Sequence, residues 1–180
     1  LKLAELAKSL KIPRILALTA TATPRVAGQI RERFEIADTD QVQTGFSRPN
    51  LIFGIHPCAE SERDELLVDK VSSQTPGASI VYVTLQQTAE RVAGVLKGAG
   101  LDARAYHAGM KDEHRAEVQD GFMSGSIEIV VATIAFGMGI DKADIRHIYH
   151  YNLPKSLENY VQESGRAGRD GKTATCDILA

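Results

Sequence analysis

The feature that most restricts the fold of this chain is an alternation in its apolar pattern. From residue 79 onward, runs of strand length take turns with stretches of helical period. Residues 79–84 (SIVYVT), 103–107, 127–133 (IEIVVAT), 146–151 and 174–179 read as strands. Residues 87–97, 112–123 and 156–164 read as helices. Their inward stripes are Ala89, Val92, Ala93 and Leu96, then Val118 and Phe122, then Leu157, Tyr160 and Val161. Upstream, residues 51–56 form a further strand. Ser61 is placed to cap a helix running to about residue 72, with Asp64 reaching back as in a capping box. Residues 74–77 read as a turn.

Apolar strands separated by helices predict an α/β fold, a parallel sheet with helices on both faces. Right-handed crossovers set the strand carboxyl ends along one edge, where ligands bind in such folds. The loops after Thr84, His107, Thr133 and Tyr151 are expected to line it. Before this block, residues 14–19 (RILALT) read as a buried strand. Thr23 then caps a helix with Pro24 in its first position, where the missing N–H costs nothing, and Val26, Ile30 and Phe34 form one apolar stripe. Residues 41–50, with Gly45 and Pro49, read as a connector.

The chain has 180 residues, 43% of them apolar, enough for one well-buried core. Its formal charge is −2, so overall charge offers no support for nucleic-acid binding, which must come from local geometry. No run of about 18 apolar residues predicts a membrane span, and the start shows no signal peptide. The first residue is Leu1, not methionine, as expected of a piece of a longer chain. Cys58 and Cys176 stand alone, outside any CxxC pair. They predict no metal site within the chain and suit a reducing, intracellular compartment.

Three segments carry candidate chemistry. Residues 162–171 (QESGRAGRDG) hold Arg166 and Arg169, each preceded by glycine, after a helix. Guanidinium groups clamp phosphate well, and glycines let backbone approach a ligand. Read alone, the segment serves equally as a glycine-rich helix end with exposed arginines. Residues 132–142 (ATIAFGMGIDK) leave a buried strand at the expected ligand edge. Their small residues and glycines offer N–H groups to anions, and Asp141 offers an acceptor. A tight turn into a crossover is the plainer alternative. Residues 17–24 (ALTATATP) place compact hydroxyls at a strand exit, although a helix cap at Thr23 with packed neighbours explains them as well.

Together with residues 47–51 (SRPNL) and 105–110 (AYHAGM), these strings resemble RecQ-family DNA helicases in order and spacing, over nearly the whole chain. The resemblance implies a RecA-like fold. Residues 46–180 would be the second RecA-like, or helicase C-terminal, lobe and residues 1–45 a short remnant of the first. It implies that Arg169 is an arginine finger for the γ-phosphate of ATP, with Arg166 its companion and Gln162 part of the link between lobes. Asp141 would sit near the nucleotide. Thr133, Gly137, Gly139, His107, Gly109 and Thr84 would face DNA, and Thr19, Thr21 and Thr23 would couple hydrolysis to movement. ATP and Mg2+ are the implied cofactors, and single-stranded DNA, duplex junctions and the first lobe the implied partners. A nuclear or nucleoid location follows, depending on the source.

The family commonly has proline where Ala143 stands. No GxxxxGK[ST] phosphate loop and no DExH box occur, so the chain is expected to be inactive alone. An RNA-acting superfamily-two lobe and a non-catalytic nucleic-acid-binding module are the alternatives. The reading expects both guanidiniums at one rim of the sheet, neither turned away from it nor locked in salt bridges within the lobe.

Overall fold

A computed structural model describes residues 2–19, 22–43, 47–137 and 140–180. The chain divides into two compact units, residues 1–47 and 48–180.

The first unit contains helices α1 (Lys2–Ser9) and α2 (Pro24–Phe34). Thr23 caps α2, its hydroxyl accepting from the Val26 N–H at 3.3 Å, with Pro24 in the first turn as expected. The expected strand at residues 14–19 is not formed. The described backbone there is not in strand conformation, and Leu16 and Leu18 stand more than four-fifths exposed. A strand satisfies its backbone only through a ladder. The stripe on α2 is likewise not fully covered: Ile30 and Phe34 are half-buried and Val26 is exposed.

The second unit is a six-stranded, wholly parallel sheet. Its strands are β1 (Leu51–His56), β2 (Ser79–Tyr82), β3 (Ala103–Tyr106), β4 (Ile129–Ala132), β5 (His147–His150) and β6 (Ala174–Leu179), in the order β1-β6-β5-β2-β4-β3. Helices α3 (Arg63–Ser73), α4 (Gln86–Gly98), α5 (Asp112–Ser124) and α6 (Leu157–Ser164) connect them. The period of two sorts the strand residues onto the two faces. Val81, Ile129, Val131 and Tyr149 pack with Leu67 of α3 and Ala89, Val92, Ala93 and Leu96 of α4. Ile80, Tyr82, Val130, Ala132, Ile148 and Cys176 pack with Val118 and Phe122 of α5 and with Phe136, Ile140 and Ile145.

Two local expectations fail. On α6, Leu157 and Val161 are exposed, not inward, and only Tyr160 of that stripe is half-buried. Asp64 does not cap α3. The Ala59 N–H is taken by Glu62, and Asp64 instead accepts from Tyr151 Oη at 2.8 Å and pairs with Arg91. Two acids lie within reach of that helix start, and only one can face back along it while the other meets a cation on α4. No helix among the described residues is long and apolar enough to cross a membrane.

Candidate functional site

In a parallel sheet, a loop that follows a strand lies at the carboxyl edge, and a loop that follows a helix lies at the amino edge. The QESGRAGRDG segment begins in the last turn of α6 and runs on past its end, so its turn must sit where β6 begins. The hydrogen bonds show this. The Gly168 N–H donates to Ile145 O at 2.9 Å and the Asp170 N–H to Ala143 O at 3.1 Å, both just ahead of β5. The arginine loop therefore does not share the rim formed by the loops after β2, β3 and β5. The backbone of the loop is thus tied to the amino edge, while the Arg166 side chain reaches back to the Gly137 carbonyl and lies near Tyr82 at the end of β2.

The segment after β4 joins the two edges. It leaves the carboxyl end at Thr133 and must reach the amino end of β5. Arg166 is half-buried, and its Nη1 donates to the Gly137 carbonyl. A Cβ at Gly137 would lie 2.5 Å from the Arg166 guanidinium, so glycine there lets the arginine lie against the backbone. Farther along, Arg169 Nη1 meets Asp141 Oδ1 at 2.7 Å. Both side chains remain open to solvent, 37% for Arg169 and 88% for Asp141. An ion pair this exposed is worth about 0–1 kcal/mol. It parks the guanidinium without locking it. Gln162 is exposed on α6.

Beneath Arg166 lies a buried polar group that the sequence does not announce. His150 Nε2 and Glu163 Oε2 are 2.7 Å apart, with His150 1% and Glu163 8% exposed. The Tyr82 ring stacks on His150, and its hydroxyl donates to Phe136 O at 3.3 Å. Burial raises the Tyr82 pKa far above the ordinary phenol value, more than the nearby Arg166 charge lowers it, so the hydroxyl stays a donor.

The residues expected to face a polynucleotide gather at the carboxyl edge, with differing freedom. Thr84 is exposed, its N–H and hydroxyl both directed at Asn152 Oδ1. His107 is turned inward at 7% exposure, bound to Glu90 Oε1 at 2.9 Å and accepting from the Gly109 N–H at 3.2 Å. Thr133 is 9% exposed, and its N–H donates to Tyr106 O. His107 thus fixes the loop shape, leaving Gly109 backbone at the surface. Gly139 and Thr21 lie outside the described residues. Thr19 and Thr23 belong to the first unit, where Thr23 acts as the helix cap.

Three residues assigned no role above also hold the arginine loop: Arg48, Asn50 and Arg146. Arg48 and Asn50 fall inside the SRPNL string, which was the available signal. Arg146 binds Asp170 Oδ1 at 2.7 Å and Thr173 O at 3.0 Å. Among the described residues, no three His, Cys, Asp or Glu side chains converge as a metal site, and both cysteines are free thiols. Burial pushes the Cys176 thiol up to about 12.

Residues 62–171 match the model of the helicase conserved C-terminal domain. The chain belongs to that family. This helicase lobe is 42% identical over 167 residues to the ATP-dependent DNA helicase RecQ of Bacillus subtilis, covering 93% of this chain and 28% of that protein. It is 40% identical over 182 residues to the bifunctional 3'-5' exonuclease/ATP-dependent helicase WRN of Mus musculus, covering 98% and 13%. The lobe thus spans under a third of the length of these relatives. Among solved structures it superposes on S. cerevisiae Dbp5 bound to RNA and ADP BeF3, with TM-score 0.77 and 20% identity, over 90% of this chain and 44% of that one. It also superposes on the E. coli DEAD-box protein SrmB, with TM-score 0.64 and 26% identity, over 71% and 75%. The helicase lobe is RecA-like in fold; most of its sequence relatives are RecQ-type helicases, and one, 38% identical over 164 residues, is a putative ATP-dependent RNA helicase of Acanthamoeba polyphaga mimivirus.

Proposed function

We propose that this chain works within an ATP-dependent 3'-5' DNA helicase of RecQ type, as the lobe that supplies the arginine finger and part of the DNA grip. Residues 1–45 are then the tail of the first RecA-like lobe, and the protein is intracellular. The observation that carries this reading is the pairing of Arg169 with Asp141 at the amino edge. It presents a guanidinium whose neighbours in the chain, Gly168 and Asp170, are braced, whose side chain is open to solvent, and whose ion pair is weak enough to exchange for phosphate.

The residues present suit one side of a nucleotide site. Arg169 and Arg166 offer positive charge, and Asp141 offers an acceptor for a sugar hydroxyl. No metal-holding cluster lies among the described residues, so Mg2+ and the bed for the triphosphate are assigned to the first lobe. ATP, when bound there, supplies the free energy of phosphoryl transfer. Arg169 swings from Asp141 toward the charge that develops, a contribution typically worth about 10³–10⁵ in rate. Arg166 keeps the Gly137 segment in place, and loss of the attraction after hydrolysis lets the lobes part.

In a full-length helicase carrying this lobe, Arg169→Ala is expected to keep ATP binding and lose DNA-stimulated hydrolysis by about 10³-fold or more. Near-normal turnover would overturn the finger assignment. Strand-displacement assays on DNA and RNA duplexes separate this reading from an RNA-acting lobe. A non-catalytic module is disfavoured because both arginines are present.

A further inference from the structure

Arg169 has no backbone brace of its own in the contacts described above. Its neighbours carry them. Gly168 sits at φ +54°, a left-handed conformation, and its carbonyl is turned toward the start of β1. Two side chains meet it there. Arg48 Nη2 donates to Gly168 O at 2.7 Å and to Ala167 O at 3.1 Å. Asn50 Nδ2 donates to Gly168 O and to Lys172 O, each at 2.8 Å. Asn50 O in turn accepts from the Ala174 N–H at 3.0 Å, which fixes the asparagine to the first residue of β6.

The fit around Gly168 is close. A Cβ there would stand 2.6 Å from Asn50 Nδ2 and 2.7 Å from Lys172 O. The asparagine amide occupies the space a side chain would need, and glycine is required by both conformation and room. On the far side of Arg169, the Asp170 N–H is held by Ala143 O and its carboxylate by Arg146. The finger candidate is thus a partly exposed side chain on a backbone clamped at both flanks.

We infer that Arg48 and Asn50 are positioning residues for the arginine finger, acting through the three carbonyls of Ala167, Gly168 and Lys172. This rests on the assignment of Arg169 proposed above. The physical reason is geometric. A catalytic guanidinium is useful only if its origin is fixed, because a misplacement of about 1 Å costs roughly 100-fold in rate. An amide and a guanidinium suit the task because both offer paired donors in a plane, so each spans two carbonyls.

The test uses Asn50→Asp, which keeps the size of the side chain and removes its donors, with Arg48→Lys as the second variant. In a full-length helicase carrying this lobe, Asn50→Asp is expected to lower kcat for DNA-stimulated ATP hydrolysis by about 10–100-fold. KM for ATP should stay within about twofold, since the triphosphate bed is untouched. Arg48→Lys, which keeps charge and one donor direction, should retain more turnover than Arg48→Ala. Amide hydrogen exchange should quicken at residues 166–171 while β2 and α4 keep their protection.

An unchanged kcat with unchanged exchange at 166–171 would overturn the inference. So would a loss of protection spread evenly over the lobe, which would make the two residues merely structural. If Arg169→Ala itself left turnover intact, the finger assignment would fail instead, and the exchange data would still decide whether the clamp holds the loop.

Discussion

Arg169 and Asp141 close the gap between two segments that leave the sheet at different places. Their 2.7 Å contact joins the turn after α6 to the crossover after β4. Because Asp141 is largely in water and Arg169 is more than a third exposed, the pair adds little to stability. Asp141→Asn is therefore expected to change the unfolding free energy of the lobe by less than about 1 kcal/mol. Urea denaturation of the wild-type and variant chains checks this. A larger loss would mean that the arginine is tied into the fold.

Phe136 is a different kind of residue in the same crossover. It is 1% exposed and packs edge-on against Tyr106 at 4.6 Å and Phe122 at 5.5 Å. Phe136→Ala is expected to cost about 3–5 kcal/mol, the range for emptying a core aromatic site. The same denaturation measurement reads it, and a cost under 1 kcal/mol would contradict the packing described.

His147 predicts a pH dependence. Its Nδ1 faces Thr175 Oγ1 and its Nε2 faces Thr75 O, each at 2.9 Å. A carbonyl only accepts, so Nε2 carries the hydrogen, as suits a neutral ring. Burial lowers its pKa from the ordinary 6.5, and Arg146 adds to this, against the opposing pulls of Thr75 and Asp177. The unfolded chain takes up the proton first, so the contribution is present above pH 6.5 and is lost as pH falls through the lowered value. His147→Asn should flatten that part of the stability profile between pH 7 and the acid limb. An identical slope in both proteins would refute the assignment.

Binding of this chain to single-stranded DNA is expected to be weak and steeply salt-dependent, because a chain of net charge −2 has only local phosphate contacts to offer. Fluorescence anisotropy at two salt concentrations tests it. Tight binding that survives high salt would point to stacking of bases on aromatic side chains.

The sheet was legible because its strands are apolar and evenly spaced: residues 51–56 and 174–179 form strands with the bounds read from the pattern. Residues 14–19 carry the same kind of pattern yet form no strand, because an apolar run alone does not supply the ladder a strand needs. The strings that mark the family were visible, but where they meet was not. Gly168 and Arg48 are 120 residues apart, and nothing local in SRPNL shows that its side chains reach the arginine loop. The inward turn of His107 was hidden for a similar reason, its partner Glu90 lying on another element. The edge carrying the arginines follows from chain direction alone, once the loop is seen to follow a helix and not a strand.

That separation of edges has a mechanical meaning. Strands of four residues at ~3.3 Å each make the central slab roughly 13 Å deep. Its interior is close-packed on both sides and transmits strain with little give. A force applied to the backbone of the arginine loop at one margin thus moves the loop holding Thr84, at the opposite margin, along with it as parts of one stiff body.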